Sequence, residues 1–173
     1  MNKSAPLLLS TLLALGLGAP AHAAGPNDAQ IAAIVVAANT VDIDAGKQAE
    51  TRSKNKDVRA FAKRMVADHT GVNAQATALV QKLHVTPEDN DTSKSLTQGG
   101  ATTRTRLAGL SGKAFDKAYV DNEVTYHETV LDALDKTLIP NASNAELKAL
   151  LVKVRPAFVA HLEHAKHIQA ELK

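Results

Sequence analysis

The sequence predicts an all-helical protein built as a bundle of four long helices, and three observations carry that reading. Hydrophobic residues make up 45% of the 173, yet aromatics only 3% and Trp is absent, so the apolar content sits in Ala, Leu and Val, which suit helix packing better than a β-sandwich. Four stretches of roughly 25 residues repeat their apolar positions in alternating steps of three and four, the period of one helix face. Polar breaks or Pro-bearing turns bound each stretch, where a helical ladder cannot continue. The composition also excludes whole classes of function. Without Cys the chain has no disulfide framework and no thiolate metal or redox site. With 20 Lys+Arg against 18 Asp+Glu it has no general attraction to nucleic acid, and Arg104 with Arg106 is too small a basic cluster to supply one.

Residues 1–23 read as a signal peptide. Lys3 supplies the positive start, Leu7 to Leu17 a short apolar run, and Ala21-His22-Ala23 a small-x-small cleavage site. Export to the periplasm is therefore expected, with residues 24–173 as one bundle domain. No further apolar run long enough to span a bilayer is expected in the mature chain.

The first helix is predicted from Asn27 or Asp28 to about Thr51, with the stripe Ile31, Val35, Ala38, Asp42, Ala45, Ala49. Ser53-Lys54-Asn55 breaks it. The second runs from about Lys56 to His84 along Val58, Phe61, Met65, His69, Val72, Ala76, Leu79, and ends at Thr86-Pro87. Residues 85–111 are polar, contain Gly99-Gly100, and are expected to form a partly helical crossover. The third helix opens at Ser111 or Gly112 and runs to about Leu138 along Val120, Val124, His127, Leu131, Leu134; Ile139-Pro140-Asn141 stops it. A fourth starts near Asn144, carries Leu147, Leu151, Val154, Phe158, His161, Ala165, Ile168, and is expected to kink at Pro156. Short first and third connections make two antiparallel hairpins. The long middle one covers about 40 Å if helical, which fits the ferritin-like version of a four-helix bundle.

Each helix places one polar, metal-competent residue inside its apolar stripe: Asp42, His69, His127 and His161. In an antiparallel hairpin two residues lie level when their midpoint falls at the turn. The midpoint of Asp42 and His69 falls in the Ser53–Asn55 break, and that of His127 and His161 within a few residues of the Ile139–Asn144 turn. A single buried His is ordinarily a hydrogen-bonded core residue. Four such groups at one height, three imidazoles and one carboxylate, suit one divalent ion, with Zn or Fe as the first choice, whereas Ca²⁺ and Mg²⁺ prefer oxygen alone.

Other residues are weighed beside them. Glu123 lies one turn before His127 and is a candidate accessory carboxylate. Asp68 points about 100° away from His69 and reads as a surface or helix-pairing charge. Tyr119 and Tyr126 read as packing aromatics with their hydroxyls at the surface. His164 and His167 follow His161 in steps of three and drift outward onto a solvated face.

The segments Ala38-Asn39-Thr40-Val41-Asp42-Ile43-Asp44-Ala45-Gly46-Lys47, Phe61-Ala62-Lys63-Arg64-Met65-Val66-Ala67-Asp68-His69, Phe115-Asp116-Lys117-Ala118-Tyr119 with His127, and Pro156 with His161-Leu162 resemble one family. It is the exported bacterial family called domain of unknown function 4142, regarded as ferritin-like. The resemblance covers nearly all of residues 24–173 and implies a ferritin-like bundle, a periplasmic location and an unsettled role. Asp42 stands where relatives often carry Glu, one methylene longer. The wider ferritin-like superfamily implies a di-iron oxidase built on Glu-x-x-His pairs. Here Val66, Val124 and Phe158 stand three residues before the histidines, so that centre cannot be assembled and ferroxidase activity is not expected.

Three functions remain open to the sequence. One is a metal-binding bundle in metal handling or structural stabilisation. The second is a metal-dependent enzyme of unknown reaction with Glu123 moving a proton, although no nucleophile or glycine-rich loop supports it. In the third, an interaction module of the envelope, linked to stress, buries a His/carboxylate network without metal.

Overall fold

The computed structural model describes residues 25–172, so the signal-peptide reading lies outside the described residues. Among these residues all regular structure is helical: α1 (Asp28–Arg52), α2 (Lys56–Lys82), α3 (Asp91–Ala108), α4 (Gly112–Ala133) and α5 (Ala145–Glu171). An Asn side chain caps four of the five: Asn27, Asn55, Asn90 and Asn144 each accept backbone N–H bonds from the first helical turn. At α1 the cap is reciprocal, since Gln30 Oε1 accepts from Asn27 N at 3.1 Å.

One connection matches the sequence reading and one departs from it. The crossover, residues 85–111, is partly helical as expected, with one helix of 18 residues, Asp91–Ala108, inside it. Its Thr, Ser and Gly content argues against a helix on propensity. Docking on α1 overrides that. Leu107 is fully buried, Gln48 Nε2 donates to Arg104 O at 3.0 Å, and Arg52 Nη2 donates to Ala108 O and Leu110 O at 2.8 and 2.7 Å. Arg104 also pairs with Asp44.

The departure follows α4. The chain does not stop at Leu138 but passes through a π-helical turn, Leu134–Leu138, and one further turn, Ile139–Asn141. Pro140 has no N–H and its ring clashes with the carbonyl four residues back. The wider turn, in which Ile139 N–H donates to Leu134 O, relieves that clash and keeps Leu134 and Leu138 buried. Pro156 lies inside α5, which continues through it from Ala145 to Glu171.

Cross-helix contacts give the topology. Asn39 meets His69, Lys82 meets Glu146, and Tyr126 meets Ala38, so α1 with α2, α2 with α5, and α4 with α1 are antiparallel. Phe61 touches Tyr119 and His69 touches His127, so α2 and α4 run parallel across the diagonal. α3 runs alongside α1 and joins the two hairpins, the single-crossover connectivity expected for this bundle. Asp28 ties the open end together by accepting from Ser143 N and Asn144 N, both at 2.9 Å.

The apolar core falls into two clusters, one around Phe61, Met65, Phe115 and Ile168, the other around Ile31, Leu134, Leu151 and Phe158. A polar layer lies between them. α1 is long and apolar enough by composition to cross a membrane, with a window of mean hydropathy 1.2, contrary to the expectation of no further such run. Half of that window is buried inside the bundle, as in a core helix.

The adjacent glycines of α3 should respond oppositely to substitution. A Cβ on Gly100 would stand 2.7 Å from Val41 Cγ2, while one on Gly99 meets nothing within 4 Å. In thermal denaturation, Gly100→Ala is expected to destabilise by about 1–3 kcal/mol through overpacking. Gly99→Ala should stabilise by up to about 1 kcal/mol through helix propensity.

Candidate metal centre

The polar layer gathers one residue from each long helix of the bundle. Asp42, His69, His127 and His161 are all buried, at most 3% exposed, and the buried Glu123 of α4 joins them. The three imidazoles each offer a ligand atom within 4.8 Å of the others, and so do Asp42, Glu123 and His127. Asp42 reaches the layer despite its short side chain: its Oδ2 lies 3.0 Å from His69 Nε2 and 3.5 Å from His127 Nε2.

Every imidazole has one nitrogen engaged and one free. His69 Nδ1 donates to Asn39 Oδ1 at 2.6 Å, and Asn39 is oriented for this because its Nδ2 donates to Val35 O at 2.8 Å. His127 Nδ1 donates to Glu123 O at 3.0 Å, and His161 Nε2 donates to Asp68 Oδ2 at 2.8 Å. These acceptors fix the tautomers, so His69 Nε2, His127 Nε2 and His161 Nδ1 present lone pairs. Those three nitrogens, both oxygens of Asp42 and Oε2 of Glu123 are all buried without a hydrogen-bond partner. The approach of His69 Nε2 to Asp42 Oδ2 is short yet lacks hydrogen-bond geometry. Lone pairs that converge in this way could hold a cation.

The electrostatics agree. Burial alone would raise the Asp42 carboxyl, but the neighbouring imidazoles of His69, then His127 and His161, hold it below the usual carboxylate range. Burial, reinforced by Asp42, pushes Glu123 well above its ordinary value and so favours its protonated form. Burial lowers His127, and lowers His161 from 6.5 to about 4 against the pull of Asp68. Neutral imidazoles are the form that binds metal.

Asn39 was not singled out in the sequence, although it lies three residues before Asp42 and thus on nearly the same face. Asp68 is the helix-pairing charge that the sequence offered: it faces α5 and holds the outer nitrogen of His161, while Arg64 Nε donates to it at 3.3 Å. Tyr119 departs from expectation, being fully buried with its hydroxyl unpartnered. Burial, then the charges of Glu123 and Asp42, raise that phenol well above 10, so it stays protonated. Tyr126 donates to Ala38 O at 2.8 Å. His164 packs edge-on against Phe61 and His167 is exposed beside Glu171, so neither joins the layer. A cavity of about 30 Å³ adjoins the layer, with Asp42, His69 and His127 at its polar end and Leu134 and Leu138 of the π turn in its far wall.

In comparisons with known proteins, residues 16–168 match a family described as Domain of unknown function (DUF4142). No curated protein and no solved structure matches the chain.

The buried imidazoles set a pH dependence for the metal-free chain. On unfolding, His161 returns from about 4 to 6.5, so below 6.5 the unfolded state takes up a proton that the native state refuses. Chemical denaturation at a series of pH values should show stability falling as pH drops from 6.5 toward 4, with a shallower fall in His161→Gln.

Proposed function

We propose that this chain, which belongs to the DUF4142 family, is an exported metal-binding bundle that holds one divalent transition-metal ion on Asp42, His69, His127 and His161, with Glu123 beside it as an accessory carboxylate. One observation carries the reading. Six polar atoms, all buried and all in one layer, make no hydrogen bond of good geometry to one another and match the ligand set of a nitrogen- and oxygen-binding ion. Zinc or iron fits that set best, at bond lengths of about 2.0–2.2 Å. Asn39, Asp68 and the Glu123 carbonyl then act as the outer partners that orient ligating histidines. Since all four ligands come from different helices, the ion would cross-link the bundle. Stabilisation or metal handling follows from that more directly than catalysis.

The metal-free alternative, a buried imidazole and carboxylate network, is disfavoured by the same atoms, because a network would satisfy them with hydrogen bonds. Export rests on the residues 1–23 pattern alone.

Purified protein is expected to carry about one ion per chain by elemental mass spectrometry, and a chelator should lower its melting temperature. His69→Ala should lose the ion. A chain that arrives empty, takes up no Zn²⁺ or Fe²⁺, and melts identically with and without chelator would leave the layer a hydrogen-bonded network. Asn39→Leu removes only the outer partner of His69. Competition titration should show affinity reduced by about 10–100-fold, with stoichiometry retained.

A further inference from the structure

The donor layer is sealed, so an ion cannot reach it unless a side chain moves. The geometry singles out Tyr126. On its inner side this residue lines the cavity that ends on Asp42, His69 and His127; on its outer side it lines a groove of about 520 Å³ between α1, α3 and α4. Among the described residues no other borders both spaces. A single hydrogen bond, from its hydroxyl to Ala38 O at 2.8 Å, latches the ring against α1.

The groove follows from how α3 docks. Gly100 lets α3 close onto Val41 of α1, and the helix meets α4 only sparingly, leaving open space in front of Gly99. The oxygen-bearing residues Asp91, Thr92, Ser95, Thr103 and Asn122 are among those that line that space. Such groups replace the waters of a hydrated cation one at a time without holding it tightly. Two other depressions, one over Arg106 and Thr125 and one over Gln75 and Lys153, border none of the layer's residues.

We propose that this groove is the port through which a hydrated divalent cation reaches the buried layer, and that Tyr126 is its door. The proposal rests on the metal-binding reading above. Swinging the ring away from α1 breaks one hydrogen bond and joins groove to cavity, leaving the helix backbones in place. The competing way in is Asp68, whose half-exposed carboxylate touches His161 from outside.

The test follows Co²⁺ uptake by the purified metal-free protein in stopped flow, using the visible absorption of the bound ion, alongside an equilibrium titration. Tyr126→Phe keeps the ring but loses the latch, and should fill about fivefold faster, the effect of one ordinary hydrogen bond on an opening equilibrium. Tyr126→Ala should fill faster still. Gly99→Leu places a side chain in the open part of the groove and should slow filling. All three should reach the same final Co²⁺ per chain. Unaltered rates in all three, or acceleration in Asp68→Ala alone, would overturn the port while leaving the binding site standing. A parent chain that takes up no Co²⁺ would fail the metal-binding reading, and the port would fall with it.

Discussion

Six polar atoms buried without partners form the middle of this bundle, and the rest of the structure is arranged around their cost. Each such atom costs about 1–3 kcal/mol when nothing replaces its lost water. A domain whose net stability is about 5–15 kcal/mol cannot carry that load without compensation. The two apolar clusters on either side, centred on Phe61 and Phe115 below and on Leu151 and Phe158 above, press the layer into dry surroundings and fix its height. They also make the interaction strong when a cation is present, because charges attract most where water is excluded.

The direction of each lone pair is set one step further out. Two imidazoles turn Nε2 inward and one turns Nδ1 inward, and that difference traces to where each acceptor stands. Asn39 on α1 and the Glu123 carbonyl on α4 hold the Nδ1 atoms of His69 and His127 from within the bundle. Asp68 holds Nε2 of His161 from the partly exposed seam between α2 and α5. His161 is thus the imidazole whose outer partner reaches solvent.

Most of the fold was legible because its signals are local. Apolar steps of three and four located α1, α2, α4 and α5, and polar breaks and Pro-bearing turns marked their ends. The four stripe residues were visible for the same reason, as polar interruptions of an apolar period. What escaped depends on contacts between helices. The extent of α3, whose propensity is poor, is held by α1; the π turn answers a clash at Pro140; and the partner of Asp68 is known only once His161 of α5 lies opposite. Tyr119, an aromatic in a stripe, could not be seen to bury its hydroxyl until α2 and α4 were known to be parallel.

Phe61 meets Tyr119 and His69 meets His127 at the same spacing along α2 and α4, so the two hairpins share one register. Direct packing between the hairpins holds that register, and α3, a rod seated on α1 at the Gly100–Val41 notch, spans the distance between the halves. A slip of one helical turn would slide one hairpin past the other by about 5.4 Å. That exceeds a metal–ligand bond of about 2.0–2.2 Å more than twofold. Each half, Asp42 with His69 and His127 with His161, would survive such a slip, but the four would no longer meet in one layer. The segment with the least apolar sequence in the bundle thus bridges the two halves that its buried polar layer joins.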